Sequence, residues 1–114
     1  MSEYQNKAVE LMRVRLGEKA ITDISCRRTL FLRNAIILYR ALGGTVEGID
    51  DATESAFSEA TVKVDVAIGD VMYKLASIGY ACDIDIIQAA YNKLDEAAVK
   101  LDAATKKLRG DKLR

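Results

Sequence analysis

Histidine and proline are both absent from the 114-residue sequence, and cysteine occurs only twice. Without histidine, the chain cannot use His-based general acid–base catalysis, a Ser-His-Asp triad, a Cys-His pair or a histidine-containing zinc site. Two cysteines, Cys26 and Cys82, are too few for a zinc site made of four thiolates. Half of the residues are hydrophobic and only seven are glycine, which excludes a disordered or collagen-like chain.

Long hydrophobic runs and an export signal are also missing. The longest apolar run covers residues 35–39, which is far too short to span a bilayer. The N-terminal segment carries acids and amides where a signal peptide would have its apolar core. These features predict a cytoplasmic protein without a membrane partner. We expect both thiols to be reduced there and to lie at the edge of the core.

Charge of either sign is balanced over the whole chain, with 17 basic and 17 acidic residues. A net charge of zero argues against nucleic acid as a partner. The distribution is uneven, because residues 1–46 carry a net +4, residues 47–96 a net −8 and residues 97–114 a net +4. We favour charge complementarity within the chain or between subunits, and a field that attracts a ligand is the alternative. The basic tail, residues 106–114, fits either a helix C-terminus or contact with an acidic partner.

Hydrophobic residues three or four positions apart predict an all-α fold, in one helical domain over residues 1–114. We expect an antiparallel four-helix bundle. The last predicted helix would be about 36 Å long and would overhang a compact body of this size. We therefore expect a homo-oligomer, either a dimer or a tetramer, to complete the bundle. The four predicted helices cover residues 2–16, 25–42, 51–82 and 85–108, with a linker at 18–24 and a loop at 43–50.

Residues 69–76, Gly-Asp-Val-Met-Tyr-Lys-Leu-Ala, are followed at a fixed distance by Ile84-Asp85-Ile86 and then by Lys93-Leu94. This segment resembles the second half of the all-α nucleoside triphosphate pyrophosphohydrolases, the MazG-like family. Members of that family carry E-E-L-G-D-V-L-W-Y-L-A, then G-I-D-L and a late K-L. The start Tyr4-Gln5…Ala8 is similar to the Y-Q-x-x-A of short phage and bacterial members. The resemblance implies a MazG-like bundle and is compatible with a phage or mobile-element origin.

The family cleaves the α–β phosphate bond of nucleotides with Mg²⁺, which an E-x-x-E and an E-x-x-D motif hold on two helices. Asp70 matches the final aspartate and is the one candidate metal ligand. Ala67 stands at the glutamate three residues earlier, while Asn34 and Ile37 stand at the two positions of E-x-x-E. We assign no catalytic residue, and Mg²⁺ is expected as a cofactor only if the chain is an enzyme.

Three cations are candidates for binding a nucleotide or phosphate, namely Arg33, Lys74 and Lys93. Arg33 neighbours a lost ligand position, where it could replace part of the metal's charge and hold a phosphate. It could equally extend from a central helix into solvent. Lys93 matches the family's late lysine, and Lys74 lies one turn from Asp70 on the same helix face. Asp70 is either a remnant of a metal site, a partner of Arg33 or a solvated acid.

These observations favour a non-catalytic MazG-like helical protein that acts by binding or regulation, with a nucleotide or a protein surface as its ligand. One alternative is an active Mg²⁺-dependent pyrophosphohydrolase that releases pyrophosphate from nucleoside triphosphates with a different set of ligands. The other is a purely structural helical interaction protein. The sequence leaves all three open.

Overall fold

The computed structural model describes the backbone of residues 1–112 and the side chains of residues 1–110. Within this part the chain is helical and contains no β-strand, which confirms the all-α prediction. Residues 106–112 of the predicted basic tail continue the last helix, and residues 113–114 lie outside the described residues. The six helices are α1 (Glu3–Leu16), α2 (Glu18–Ile21), α3 (Ile24–Ala41), α4 (Val46–Ser58), α5 (Val64–Ala81) and α6 (Ile86–Lys112).

The predicted single helix over residues 51–82 is wrong, because two helices, α4 and α5, occupy this region. Helix α4 begins inside the predicted loop, where the Thr45 hydroxyl accepts a hydrogen bond from the Gly48 amide at 3.1 Å and caps the helix. Residues 59–63 then separate the two helices, with extended backbone at Glu59 and Lys63. The apolar spacing continues across this break, but Thr61 and Val62 are β-branched residues that disfavour helix.

Two smaller differences lie at the other boundaries. The predicted linker at residues 18–24 contains the short helix α2, which follows α1 directly after Gly17. The last helix continues beyond Leu108 and through Gly110 to Lys112. Glycine inside a helix is tolerated at a cost of about 1 kcal/mol relative to alanine, so Gly110 alone does not end it.

The α3–α4 and α5–α6 hairpins have the same backbone geometry, forty residues apart. Helices α3 and α5 both contain 18 residues and end in the same pair of hydrogen bonds. In the first hairpin the amides of Gly43 and Gly44 donate to carbonyls three and five residues earlier, and in the second the amides of Asp83 and Ile84 do the same. This is a Schellman motif. Gly43 (φ 91°) and Asp83 (φ 56°) occupy its left-handed position.

The two hairpins place their large and small side chains at opposite positions of the turn. In the first, the Tyr39 ring lies against Gly44 and Gly48, and a Cβ at Gly44 would overlap that ring. In the second, the position equivalent to Tyr39 is Gly79, which lies against Ile84 and Ile86. A Cβ on Gly79 would come within 2.9 Å of the Ile84 carbonyl oxygen. Gly79 therefore sets how closely α5 and α6 approach at their turn.

Packing within the single chain is concentrated between α1 and α6. The Tyr4 ring meets the Tyr91 ring edge-on at a centroid distance of 5.5 Å, and the Lys7 ammonium lies 5.7 Å from the centre of Tyr91. Arg15 at the other end of α1 shares a cleft with Leu101. The two helices therefore run in the same direction. Ala8 between them is the one buried hydrophobic residue among residues 1–110.

The single chain is open rather than closed into the predicted antiparallel bundle. It exposes 10,014 Å², whereas a compact monomer of its mass exposes about 6,200 Å². Its radius of gyration is 17.6 Å, compared with about 13 Å for a compact domain of this length. One cause is that helices far apart in the sequence share little packing among the described residues. The main contact of this kind joins α1 and α6, and α4 touches α3 near their turn, where Tyr39 lies against Gly48. No helix in the described part of the chain is long and apolar enough to cross a membrane.

Candidate functional site

An apolar groove of 440 Å³ runs along the N-terminal two thirds of α5. Its α5 residues are three or four positions apart and so form one face of the helix. Ile68 near its centre is 58% exposed in the single chain, although it is a large aliphatic side chain. A hydrophobic surface of this kind marks a site where another molecule packs. We call it the α5 groove, and it is lined by Phe31, Val62, Val64, Ala67, Ile68, Val71, Met72 and Leu75.

Cations surround one end of the α5 groove. Arg27 and Arg28 lie one helical turn before Phe31, on the same side of α3. Lys63 stands between the two lining residues Val62 and Val64. The Arg27 side chain contacts the Cys26 sulfur at 3.5 Å, but its buried Nε has no hydrogen-bond acceptor among the described residues. The positive charges of Arg27, Arg28 and Lys63 make this end of the groove suited to an anionic partner.

Helix α4 is amphipathic and uncovered. Its apolar stripe contains Val46, Ile49, Ala56 and Phe57, and every residue from 50 to 58 is exposed. Phe57 is 87% exposed. A 13-residue helix has little stability on its own in water, because tertiary packing supplies most of the stability of short helices. The apolar stripe of α4 therefore requires a surface to cover it.

Helix α4 is also purely acidic. It carries Glu47, Asp50, Asp51 and Glu54 on one flank beside the apolar stripe, and no cation occurs between Arg40 and Lys63. Helix α3 has the opposite composition, because all four of its charged residues are arginine. They are Arg27, Arg28, Arg33 and Arg40.

The ion pairs of the described residues all lie elsewhere. Arg13 bridges Glu10 and Glu18 between α1 and α2, and Lys7 pairs with Glu3. On α6, hydrogen bonding from Lys100 and the charges of Lys100 and Lys93 hold the pKa of Glu96 below its usual value. These pairs are solvent-exposed and contribute little to stability. Within residues 1–110, the arginines of α3 and the acids of α4 form no ion pair.

The residues predicted to form a nucleotide or metal site do not come together in one site. Asp70 is exposed and takes part in none of the ion pairs of the described residues, so the considered pair with Arg33 is not formed. Arg33 is exposed and lies on the side of α3 opposite Phe31. The Lys74 ammonium lies 5.5 Å from the centre of the Tyr73 ring. Lys93 lines the cleft between α1 and α6.

The surroundings of Asp70 differ from a carboxylate-rich ion site. No group of three or more His, Cys, Asp or Glu side chains comes together in the described residues. Ala67, at the position of the missing glutamate, lines the α5 groove. Cys26 and Cys82 are both free and exposed, so the expectation that they lie at the edge of the core is wrong for the single chain. The open packing of the single chain leaves both thiols uncovered.

Two surfaces were not identified from the sequence, the α5 groove and the uncovered stripe of α4. Their signals were present in Thr61 and Val62, which break the helix, and in the separation of arginines and acids between two neighbouring helices. Neither signal predicts which pairs of helices pack together.

No protein-family model matches the chain, no curated protein matches its sequence and no solved structure matches its fold.

Proposed function

We propose that this chain is a non-catalytic MazG-like helical binding protein whose ligand is a protein surface, and that it works as a homo-oligomer. The observation that carries the proposal is the exposed area of 10,014 Å², about 3,800 Å² more than a compact monomer exposes, with many apolar side chains uncovered on the helix faces. Hydrophobic faces of this extent support protein–protein contact, because their burial is the main driving force for association.

A protein ligand is supported over a nucleotide by the placement of the candidate cations. Arg33, Lys74 and Lys93 lie on three different helices, and Lys93 is engaged with Glu96 at 3.5 Å. The α5 groove is lined by apolar side chains, which offer no group that recognises a phosphate. An assembly of two or four copies fits the same apolar faces.

The function is tested by incubating the purified protein with a panel of nucleoside and deoxynucleoside triphosphates and Mg²⁺, and by measuring pyrophosphate. We expect no release above the protein-free control, because no group of three or more Asp, Glu, His or Cys side chains comes together among the described residues to hold an ion. A thermal shift with the same nucleotides in EDTA is expected to be absent for the wild type and for Arg33→Ala alike. Mg²⁺-dependent release that Asp70→Ala abolishes would establish the enzyme instead.

A further inference from the structure

We propose that helix α4 of a second copy of this chain occupies the α5 groove, in a reciprocal dimer where each chain inserts its α4 into the other. The proposal rests on the proposed function, since it names the protein surface that the chain binds. It concerns two faces that the single chain leaves open, the apolar stripe of α4 and the groove along α5.

The dimensions of the two faces agree. Helix α4 has 13 residues and is therefore about 20 Å long at 1.5 Å per residue. The α5 groove extends from Val64 to Leu75, which is about 16 Å along the helix axis. A helix seated in an apolar groove is a recurrent mode of recognition, in which side chains one turn apart enter the groove. On α4, Ile49 and Phe57 lie eight residues apart, about two turns, on the same apolar stripe.

Charge also points to a second copy. With the apolar stripe of α4 in the groove, its acidic flank lies beside the cations at the groove end, Arg27, Arg28 and Lys63. Carboxylates there accept charge-assisted hydrogen bonds from the guanidinium and ammonium groups at this end. One chain carries both the acidic helix and the basic groove. Two copies related by a twofold axis therefore form the same α4–groove contact twice.

The chain path and the exposed area favour exchange between copies over closure within one chain. The segment between α4 and α5 is extended at Glu59 and at Lys63, and α4 does not lie on its own α5. A short, extended connection of this kind is the usual hinge for exchanging an element. Each chain exposes about 3,800 Å² more than a compact monomer, so a pair of chains has about 7,600 Å² in excess, enough for the roughly 2,000–5,000 Å² or more that obligate dimers bury in total.

The interface is tested with two charge-reversed variants of the full chain. The acidic variant carries Arg27→Glu and Arg28→Glu, and the basic variant carries Asp50→Lys and Glu54→Lys. Each variant alone places like charges across both contacts, so we expect its dimer to weaken by about tenfold or more. Mixed in equal amounts, the two variants bring opposite charges together at both contacts, and we expect a heterodimer close to wild-type affinity, seen by native mass spectrometry.

A control with the same charge change carries Arg33→Glu and Arg40→Glu, on the side of α3 away from Phe31. We expect it to form a homodimer like the wild type. The interface is overturned if the charge-reversed variants self-associate as tightly as the wild type, or if their mixture stays monomeric or unfolded while the control dimerises. That result leaves the non-catalytic function standing. Mg²⁺-dependent pyrophosphate release, in contrast, would overturn the function and leave the interface standing.

Discussion

Ile68→Lys is expected to abolish the dimer at concentrations where the wild type is fully assembled. In the reciprocal dimer this side chain is buried under α4 of the second copy, and a lysine would place an ammonium group among apolar side chains. The loss of apolar burial and the unpaired charge together cost about 3 kcal/mol per site, which lowers affinity by more than 100-fold. Sedimentation velocity at several concentrations measures the change directly.

Val66→Lys is the matched control, because Val66 lies on the same helix with a similar exposed fraction, 50% against 58% for Ile68. It points to the other side of α5, with Asp70, and does not line the groove. We expect Val66→Lys to dimerise like the wild type. If both variants dissociate equally, or if neither does, the α5 groove is not the dimer contact.

Gly79→Ala and Gly69→Ala are expected to change stability in opposite directions, although both replace a glycine inside α5. A Cβ at Gly79 would press on the Ile84 carbonyl and the Ile86 side chain, and overpacking of this kind costs about 1–3 kcal/mol. A Cβ at Gly69 meets no atom within 4 Å. Alanine there stabilises the helix by about 0.5–1 kcal/mol, because it removes the excess flexibility of glycine from the unfolded chain.

Urea unfolding of the two glycine variants, followed by circular dichroism at one fixed protein concentration, provides the measurement. The midpoint is expected to fall for Gly79→Ala and to rise for Gly69→Ala. Gly79→Ala with a midpoint at or above that of the wild type would show that the α5–α6 turn can open without cost. The same result would show that the fold does not depend on the close approach of α5 and α6.

The helical content was predictable from the sequence, because amphipathic spacing and capping residues are local signals. The start of the last helix is an example, since the Asp85 carboxylate accepts a hydrogen bond from the Gln88 amide at 3.0 Å and caps α6. The break between α4 and α5 was missed, because the apolar residues Phe57, Ala60 and Val64 keep a helical spacing on both sides of it. Periodicity alone does not detect a short extended segment that preserves the register.

The tertiary arrangement could not be predicted in the same way, because it depends on contacts between distant helices. The sequence showed that acids and arginines are segregated, and complementarity was the favoured interpretation. Within residues 1–110 the arginines of α3 do not pair with the acids of α4. The complementarity between α3 and α4 is therefore unused inside the single chain, which is the reason that we assign it to contact between subunits. The surroundings of Asp70 were unpredictable for the same reason, because its match to the family motif does not specify which side chains lie near it.

Sedimentation equilibrium of the wild-type protein, from about 1 to 100 µM, tests most directly whether a second copy completes the core. We expect a species of twice the 12.5 kDa chain mass, with a melting temperature that rises as the protein concentration rises. A folded species of one chain mass at every concentration, with a melting temperature independent of concentration, would contradict a dimeric core.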